Sequence, residues 1–223
     1  MSPRIRRASE CVLLPQSTLG ASATSRRWVP VALHYPLVVE PTAALILAAG
    51  LGTRFGGRKL MAPIGGRPML QHVLDLAADA GLRPVVVVLG NDADELESAC
   101  IWRDELRIRN PTPENGLSGS VSLGIATLLR LKAERAAILM GDQPVLAPDL
   151  LRAILSAKGQ IVVPRYAGKP GNPVVLDRSI WRLARSLEGD RGFSQLFAAY
   201  GNLVTYVNLP GTNPDIDTPA DLR

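Results

Sequence analysis

The sequence of 223 residues is poor in the side chains that build redox, disulfide and nucleophilic sites: it has two cysteines, two histidines and 4% aromatic residues. Cys11 and Cys100 cannot form a disulfide framework, and neither stands at metal-ligand spacing from a partner. His34 and His72 have no catalytic motif around them. These shortages favour a reducing, cytoplasmic setting and a chemistry that needs no histidine or cysteine dyad.

The main part of the chain also lacks a large excess of charge. The formal net charge is +5, but residues 1–40 hold five arginines and two glutamates, so they contribute +3 of it. Residues 41–223 carry 20 basic and 18 acidic side chains. A nearly balanced domain with few aromatic residues does not fit a nucleic-acid-binding protein.

Long hydrophobic runs are missing from the first forty residues. The apolar run Cys11–Leu14 is too short for the core of a signal peptide, although Ala21-Ser22-Ala23 resembles a cleavage site. The run from Trp28 to Val39 is interrupted by prolines and is too short to span a bilayer. We therefore expect no membrane partner. Residues 1–40 are predicted to be a flexible extension, or an over-long start, ahead of one domain formed by residues 41–223.

Hydrophobic content of 47% and alternating patterns in residues 41–223 predict a globular α/β domain. Short buried strands are predicted at Ala43–Ala48, Val85–Leu89, Ala136–Met140, Ile161–Val163, Pro173–Leu176 and Leu203–Val207. Helices are predicted from Pro68, from Asn91 or Asp92 to about Cys100, and at Ser118–Leu131, Pro148–Ala157, Ile180–Ser186 and Phe193–Tyr200. Alternating strands and helices indicate a mostly parallel sheet with helices on both faces, a Rossmann-like fold whose ligands lie beyond the carboxyl ends of the strands.

A glycine-rich loop follows the first predicted strand. Residues 47–60 read Leu-Ala-Ala-Gly-Leu-Gly-Thr-Arg-Phe-Gly-Gly-Arg-Lys-Leu. Glycines let backbone N–H groups approach a polyphosphate, and Arg54 and Lys59 add positive charge. The loop is neither a P-loop nor the dinucleotide fingerprint. A flexible loop with incidental basic residues is the alternative, but the combination favours phosphate binding.

This loop resembles the one in MobA-like nucleotidyltransferases, and within that family it is most similar to the molybdenum cofactor cytidylyltransferases. The similarity continues through Gly65-Gly66-Arg67-Pro68-Met69-Leu70 and extends from about Ala43 to Leu222. The resemblance implies a nucleotidyltransferase fold and a site in which the loop holds the nucleotide. The implied loop contacts are Leu47, Ala48, Ala49, Gly50, Gly52, Thr53, Arg54 and Lys59.

Two aspartates are candidate metal ligands. Asp142 follows a buried strand, in Met-Gly-Asp-Gln-Pro. A carboxylate beside a polyphosphate loop is the kind of ligand that Mg²⁺ needs. The alternative is that Asp142 caps the next helix. The resemblance implies the metal role for Asp142. It also places Asp217, in Asp-Ile-Asp-Thr-Pro, at the active site, whereas Asp215 and Asp221 are predicted to be structural.

Further contacts are implied by the resemblance alone. It assigns the base or ribose to Gly116, Ser118 and Ser120, although the two serines are also ordinary candidates for capping the next helix. It assigns the acceptor to Asn172, in Gly-Asn-Pro-Val, and to Arg191, where the chain departs from the family pattern. Arg191 is the nearest substitute for the family's arginine.

The resemblance implies transfer of CMP from CTP to a phosphorylated pterin, molybdopterin, with Mg²⁺ as cofactor and release of pyrophosphate. A molybdoenzyme could then receive the product. Ala49 favours CTP, because the guanylyltransferase branch has glycine there. The alternatives are GTP or another phosphorylated acceptor, as in methylerythritol-phosphate cytidylyltransferases and sugar-nucleotide pyrophosphorylases, and a non-catalytic protein that holds the cofactor. An oxidoreductase is disfavoured because the sequence has no redox-cofactor motif.

Overall fold

The computed structural model describes residues 41–184 and 193–222. Within these residues the strands are β1 Ala43–Ala48, β2 Pro63–Ile64, β3 Arg67–Pro68, β4 Val85–Leu89, β5 Leu106–Arg109, β6 Arg135–Met140, β7 Ile161–Tyr166, β8 Lys169–Pro170, β9 Val174–Asp177 and β10 Val204–Leu209. The helices are α1 Met69–Asp79, α2 Ala93–Ala99, α3 Leu117–Arg130, α4 Pro148–Ser156, α5 Trp181–Ala184 and α6 Ser194–Ala199.

The main sheet has the strand order β10-β7-β9-β6-β1-β4-β5, with β8 added at β7. The pairs β1–β4, β1–β6, β4–β5 and β7–β10 are parallel. β9 is antiparallel to both of its neighbours, β6 and β7. The sheet is therefore mostly parallel, as predicted, and the carboxyl ends of β1, β4, β6 and β7 meet at one edge.

Two hydrophobic cores cover the two faces of the sheet. The first core contains α1, α2 and α4 against residues such as Ile46, Val87 and Leu139. The second contains α3 and α5 against Leu45, Val88 and Ile138. Because consecutive strand residues point to opposite faces, the central strands are apolar at every position, which explains the continuous runs in the sequence. The predicted single α/β domain with helices on both faces is confirmed.

Several elements differ from the prediction. The edge strand β5 and the β2–β3 hairpin were not predicted, and the antiparallel direction of β9 was not either. The helix predicted from Ser118 begins one residue earlier, at Leu117. Of the helix predicted at Ile180–Ser186, the structure describes α5, and residues 185–192 lie outside the described part. The predicted extension of residues 1–40 also lies outside it.

Among the described residues, no helix has the length and apolar composition that crossing a membrane requires.

Candidate active site

The glycine-rich loop leaves the carboxyl end of β1 and folds back on itself. The N–H groups of Phe55 and Gly57 both donate to the carbonyl of Gly52, at 3.0 and 3.1 Å. Gly52 has φ +58°, and a Cβ on it would lie 3.1 Å from Cβ of Lys59. Glycine at this position therefore allows the backbone turn and the close approach that brings Lys59 to the sheet edge.

A cavity of about 300 Å³ lies between this loop and the start of α3. Ten of the predicted nucleotide or metal contacts line it: Leu47, Ala48, Ala49, Gly50, Gly52, Thr53, Lys59, Gly116, Ser120 and Asp142. Arg54, Ser118 and Asp217 are not among the lining residues. The cavity has the size of a small-molecule site and lies where α/β sheets bind ligands.

Lys59 joins the loop to both predicted metal ligands. Its Nζ donates to Asp142 Oδ2 at 2.6 Å and to Asp217 Oδ1 at 2.8 Å, and only 11% of the lysine side chain is exposed. Burial alone would lower the pKa of Lys59, but the hydrogen bonds and charges of Asp142 and Asp217 outweigh it and raise the pKa. The lysine is therefore a fixed cation at neutral pH.

Arg54 completes this cluster from the solvent side. Its Nη1 donates to Asp217 Oδ2 at 2.7 Å, and 78% of its side chain is exposed. The hydrogen bond from Lys59, helped by the charges of Lys59 and Arg54, lowers the pKa of Asp217. Asp217 is thus held as a carboxylate between two cations that both belong to the loop.

The segment 215–221 is docked against Asp142 by its backbone. The N–H of Ile216 donates to the Asp142 carbonyl at 3.0 Å. Asp221 Oδ2 accepts from the N–H groups of Asp217 and Thr218, at 3.0 and 2.7 Å, which agrees with the structural role predicted for Asp221. Asp215 accepts from Gln143 Nε2 at 2.8 Å, and burial together with the charge of Asp142 raises the pKa of Asp215. Asp215 is therefore influenced by the charge of Asp142, although it was predicted to have a structural role.

The carboxylates fit a hard divalent cation that is shared with phosphate. Asp142 Oδ1 is buried and has no hydrogen-bond partner in the described part of the chain, so one carboxylate oxygen is free to coordinate. No group of three or more His, Cys, Asp or Glu side chains suited to a metal occurs among the described residues. Mg²⁺ suits such a site, because it takes one or two carboxylates and completes its octahedron with phosphate oxygens and water.

The start of α3 forms the opposite wall of the cavity. The residue before the helix is Gly116, with φ +87°, so neither Ser118 nor Ser120 caps it and the capping alternative was wrong. Ser120 is buried and its Oγ accepts from Asn110 Nδ2 at 3.0 Å, while Asn110 Oδ1 accepts from the N–H of Thr112 at 3.0 Å. These bonds hold the segment between β5 and α3 against the cavity.

The remaining candidates lie farther from the cavity or outside the described residues. The Asn172 carbonyl accepts from Tyr166 Oη at 3.0 Å and from Asn213 Nδ2 at 3.1 Å. Arg191 falls in the stretch 185–192, which the structure does not describe. His72 contacts the Ile64 carbonyl through Nε2 at 2.9 Å, and Cys100 is buried with a pKa raised to about 11 by burial. Neither has the position or the chemistry of a catalytic group.

Several wall residues were missed by sequence reasoning. Leu51, Leu60, Pro113, Glu114, Leu117 and Met140 also line the cavity. Most are neighbours of predicted residues within the same motifs, so sequence adjacency was an available signal. No sequence signal marked Glu114, because an exposed glutamate in a polar turn is typical of a solvated surface.

Comparison with known families supports the geometry. Residues 44–204 match the family described as MobA-like NTP transferase domain. The bifunctional protein GlmU of Sphingopyxis alaskensis is 34% identical over 157 residues, which are 68% of this chain and 33% of that protein. The chain spans about a quarter to a third of the length of the curated relatives it matches.

Solved structures give the same fold. Rv0371c from Mycobacterium tuberculosis H37Rv is 28% identical, with a TM-score of 0.72 over 81% of this chain and 94% of that one. A complex of the same protein with manganese is 27% identical, with a TM-score of 0.68 over 81% and 95% of the two chains. A divalent cation is therefore bound by a protein of similar sequence and fold.

Proposed function

The chain belongs to the MobA-like NTP transferase family, and we propose that it transfers CMP from CTP to the terminal phosphate of molybdopterin in a Mg²⁺-dependent reaction. One observation carries the proposal. The loop lysine Lys59 meets Asp142 and Asp217 beside a cavity of about 300 Å³ that the glycine-rich loop lines. This arrangement places cations, carboxylates and glycine backbone where a nucleoside triphosphate and its metal are expected.

The loop binds the triphosphate in this proposal. The N–H groups of Leu51 and Gly52 donate to no acceptor within residues 41–184 and 193–222, so they are free for phosphate oxygens. Lys59 offers three N–H donors on a point charge, and Arg54 offers a planar fork from the exposed side. Both side chains would exchange a carboxylate for a phosphate when the nucleotide binds.

Asp142 and Asp217 hold the metal in this proposal, since Asp142 Oδ1 has no hydrogen-bond partner among the described residues and Lys59 and Arg54 lower the pKa of Asp217. Mg²⁺ held by these two carboxylates would neutralise negative charge on the phosphate oxygens. Lys59 and Arg54 add to the same electrostatic stabilisation as charge develops on the leaving pyrophosphate.

The chemical step is an in-line displacement. An oxygen of the acceptor phosphate attacks the α-phosphorus of CTP and forms a new phosphorus–oxygen bond. The bond between the α-phosphorus and the oxygen bridging to the β-phosphate breaks, and pyrophosphate leaves. A phosphomonoester is mostly dianionic near neutral pH, so no general base is needed. The site's residues therefore act by positioning and charge.

The choice of CTP rests on Ala49. This residue is 6% exposed and lines the cavity, and a Cβ on the facing Gly90 would lie 3.0 Å from the Ala49 backbone. The side of Ala49 next to Gly90 is therefore filled by backbone atoms. A methyl group at this point leaves less room for a two-ring base than glycine would, which supports the smaller cytosine.

The acceptor and the setting are inferred from the family resemblance. We place Asn172 and Arg191 on the acceptor side, the reaction in the cytoplasm, and a molybdoenzyme as the receiver of the product. Ser118 lies in α3 between Leu117 and Ser120, which line the cavity, and it is a nucleotide contact in the same proposal.

The direct test incubates the purified full chain with Mg²⁺, each of the four NTPs and molybdopterin, and measures pyrophosphate. We expect release with CTP only when both molybdopterin and Mg²⁺ are present, and loss of at least about 100-fold in Asp142→Asn, as for removal of a charge-stabilising group. Asp149→Asn, at an exposed position of α4, is the control and should keep full activity. A preference for GTP or for another phosphorylated acceptor would contradict the cytidylyl assignment, and binding without pyrophosphate release would favour a cofactor-holding protein.

A further inference from the structure

Arg165 is a cation near the functional edge of the sheet, and it has no anionic partner among residues 41–184 and 193–222. It lies at the carboxyl end of β7 and its guanidinium stacks on the ring of Tyr206, 3.4 Å from the ring centroid. Its Nε is buried, and the side chain makes no hydrogen bond or ion pair with residues 41–184 or 193–222. By contrast, Arg54, Arg67 and Arg109 each contact a carboxylate.

The register of the sheet places Arg165 level with the cavity wall. Ala137 of β6 pairs with Val175 of β9, and Val175 pairs with Val162 of β7. β6 and β7 run in the same direction, so Met140 and Arg165, three residues farther on, lie at about the same height. Two strand spacings separate them, which corresponds to about 10 Å.

Both side chains are also on the same face of the sheet. Met140 and Tyr206 pack against the core that contains α3, and Arg165 stacks on Tyr206. Met140 lines the nucleotide cavity, whose other wall is the start of α3. Arg165 therefore lies beyond the cavity, along the same face, on the side away from the glycine-rich loop.

We propose that Arg165 binds the distal end of the acceptor, and that this end carries hydrogen-bond acceptors such as a ring carbonyl, a ring nitrogen or a second anion. This inference rests on the proposed transfer to a phosphorylated acceptor. We place the phosphate of the acceptor near Asp142, two residues after Met140, so an acceptor with a length of about 10 Å or more would span the distance to Arg165.

The chemistry of the pair Arg165–Tyr206 fits this role. Stacking on Tyr206 fixes the plane of the guanidinium and leaves its N–H edge free to donate. A planar fork of N–H donors recognises adjacent acceptor atoms in one plane, such as those at the edge of a heterocycle. Lysine could supply the charge but neither the fork nor the stacked plane.

The experiment measures pyrophosphate release with CTP and Mg²⁺ while molybdopterin is varied, and then while CTP is varied. The variants are Arg165→Met, Arg165→Lys and the control Arg152→Met, which removes an exposed arginine on α4. Thermal unfolding of each variant checks that it is folded. Binding of a non-hydrolysable CTP analogue gives a readout that does not depend on turnover.

We expect Arg165→Met to raise the KM for molybdopterin at least tenfold, with the KM for CTP and the affinity for the analogue within twofold of wild type. Arg165→Lys should be intermediate, and Arg152→Met should match wild type. An unchanged KM for molybdopterin in Arg165→Met, in an active wild-type background, overturns the role of Arg165 alone. If Arg165→Met is unfolded, the same comparison in Arg165→Lys decides. Absence of pyrophosphate release by wild type overturns the proposed activity, and the acceptor role with it.

Discussion

Lys59 Nζ lies 2.6 Å from Asp142 Oδ2, and the two residues are 83 positions apart in the sequence. The same nitrogen is 2.8 Å from Asp217. An ammonium group that bridges two carboxylates neutralises the charge that would otherwise attract a divalent cation. If Asp142 and Asp217 bind the metal as proposed, Lys59 and a metal ion would compete for the same two aspartates in the free protein. Nucleotide phosphates would relieve this competition by drawing Lys59 toward themselves.

The first prediction concerns Lys59→Met. Removing the ammonium group leaves Asp142 without its ion-pair partner and Asp217 with Arg54 alone, so the free protein should bind Mn²⁺ more tightly, by about tenfold, which corresponds to about 1.4 kcal/mol. Turnover should nevertheless be lost, because the triphosphate loses a cation. Electron paramagnetic resonance of free Mn²⁺ during a titration, without nucleotide, measures the affinity.

Arg54→Met is the matched control for this titration. Among the described residues the Arg54 side chain pairs with Asp217 alone, and it is mostly exposed, so its removal should change the Mn²⁺ affinity much less than removal of Lys59. If Lys59→Met binds Mn²⁺ no more tightly than wild type, the competition does not exist.

The second prediction concerns an ion-pair cluster on α1 away from the site. Asp75 accepts from Arg67 at 2.6 Å, from Arg103 at 2.9 Å and from Gln71 at 3.0 Å. Burial would raise the pKa of Asp75, but these hydrogen bonds lower it. A lowered pKa in the folded state stabilises the protein above the unfolded value of 3.8, and that stability is lost as the pH falls through the folded pKa.

Asp75→Asn should therefore lower the free energy of unfolding at pH 7 by about 1 kcal/mol, since both arginines are half exposed. The difference from wild type should shrink as the pH falls below about 4. Urea unfolding at pH 7 and at pH 3 measures it. Asp79→Asn, at an exposed position of the same helix, is the control and should change stability at neither pH. An equal loss at both pH values would show that the charge of Asp75 is not responsible.

The third prediction tests the contact between α3 and β1. A Cβ on Gly124 would overlap the side chain of Leu45, which is fully buried. Gly124→Ala should therefore destabilise the protein by about 1–3 kcal/mol despite the better helix propensity of alanine. Gly119→Ala lies in the same helix, where the nearest atom to a Cβ is 3.7 Å away, so it should be neutral or stabilising. Chemical unfolding of both variants checks the difference, and equal effects would contradict the packing argument.

The sequence predicted the elements whose residues are uniformly buried. β1, β4 and β6 are apolar at nearly every position because both faces of the sheet are covered, and that pattern is visible without a structure. β5 was missed because it is an edge strand in which Leu106 and Arg109 are exposed, so burial left no clear pattern. The direction of β9 depends on which strands it joins, and the local sequence of Val174–Asp177 does not encode that choice.

The site was predictable to the level of its motifs but not of its contacts. Loop glycines and an aspartate after a buried strand indicate phosphate and metal chemistry locally. The contact of Lys59 with Asp142 and Asp217 joins three distant segments, so spacing could not reveal it. The position of Arg165 follows from three successive strand registers, which only the fold supplies.

The last prediction concerns the choice of base and follows from Ala49. Replacing Ala49 by glycine removes one methyl group from the cavity wall at the end of β1, where the Ala49 backbone lies close to Gly90. The larger two-ring base should then fit better. Because one methyl group in a pocket changes discrimination by about 10-fold or more, Ala49→Gly should raise kcat/KM for GTP relative to CTP by about that factor.

Pyrophosphate release with each nucleotide, at fixed acceptor and Mg²⁺, gives the ratio. Ala199→Gly, at an exposed position of α6, is the control for a general loss of stability and should leave the ratio unchanged. Partial unfolding of a variant lowers the rates with GTP and CTP by the same factor, so it does not change the ratio measured in one enzyme preparation. A ratio within twofold of wild type would show that Ala49 does not select the base, and the selection would then be sought at Glu114, the acidic residue of the opposite wall.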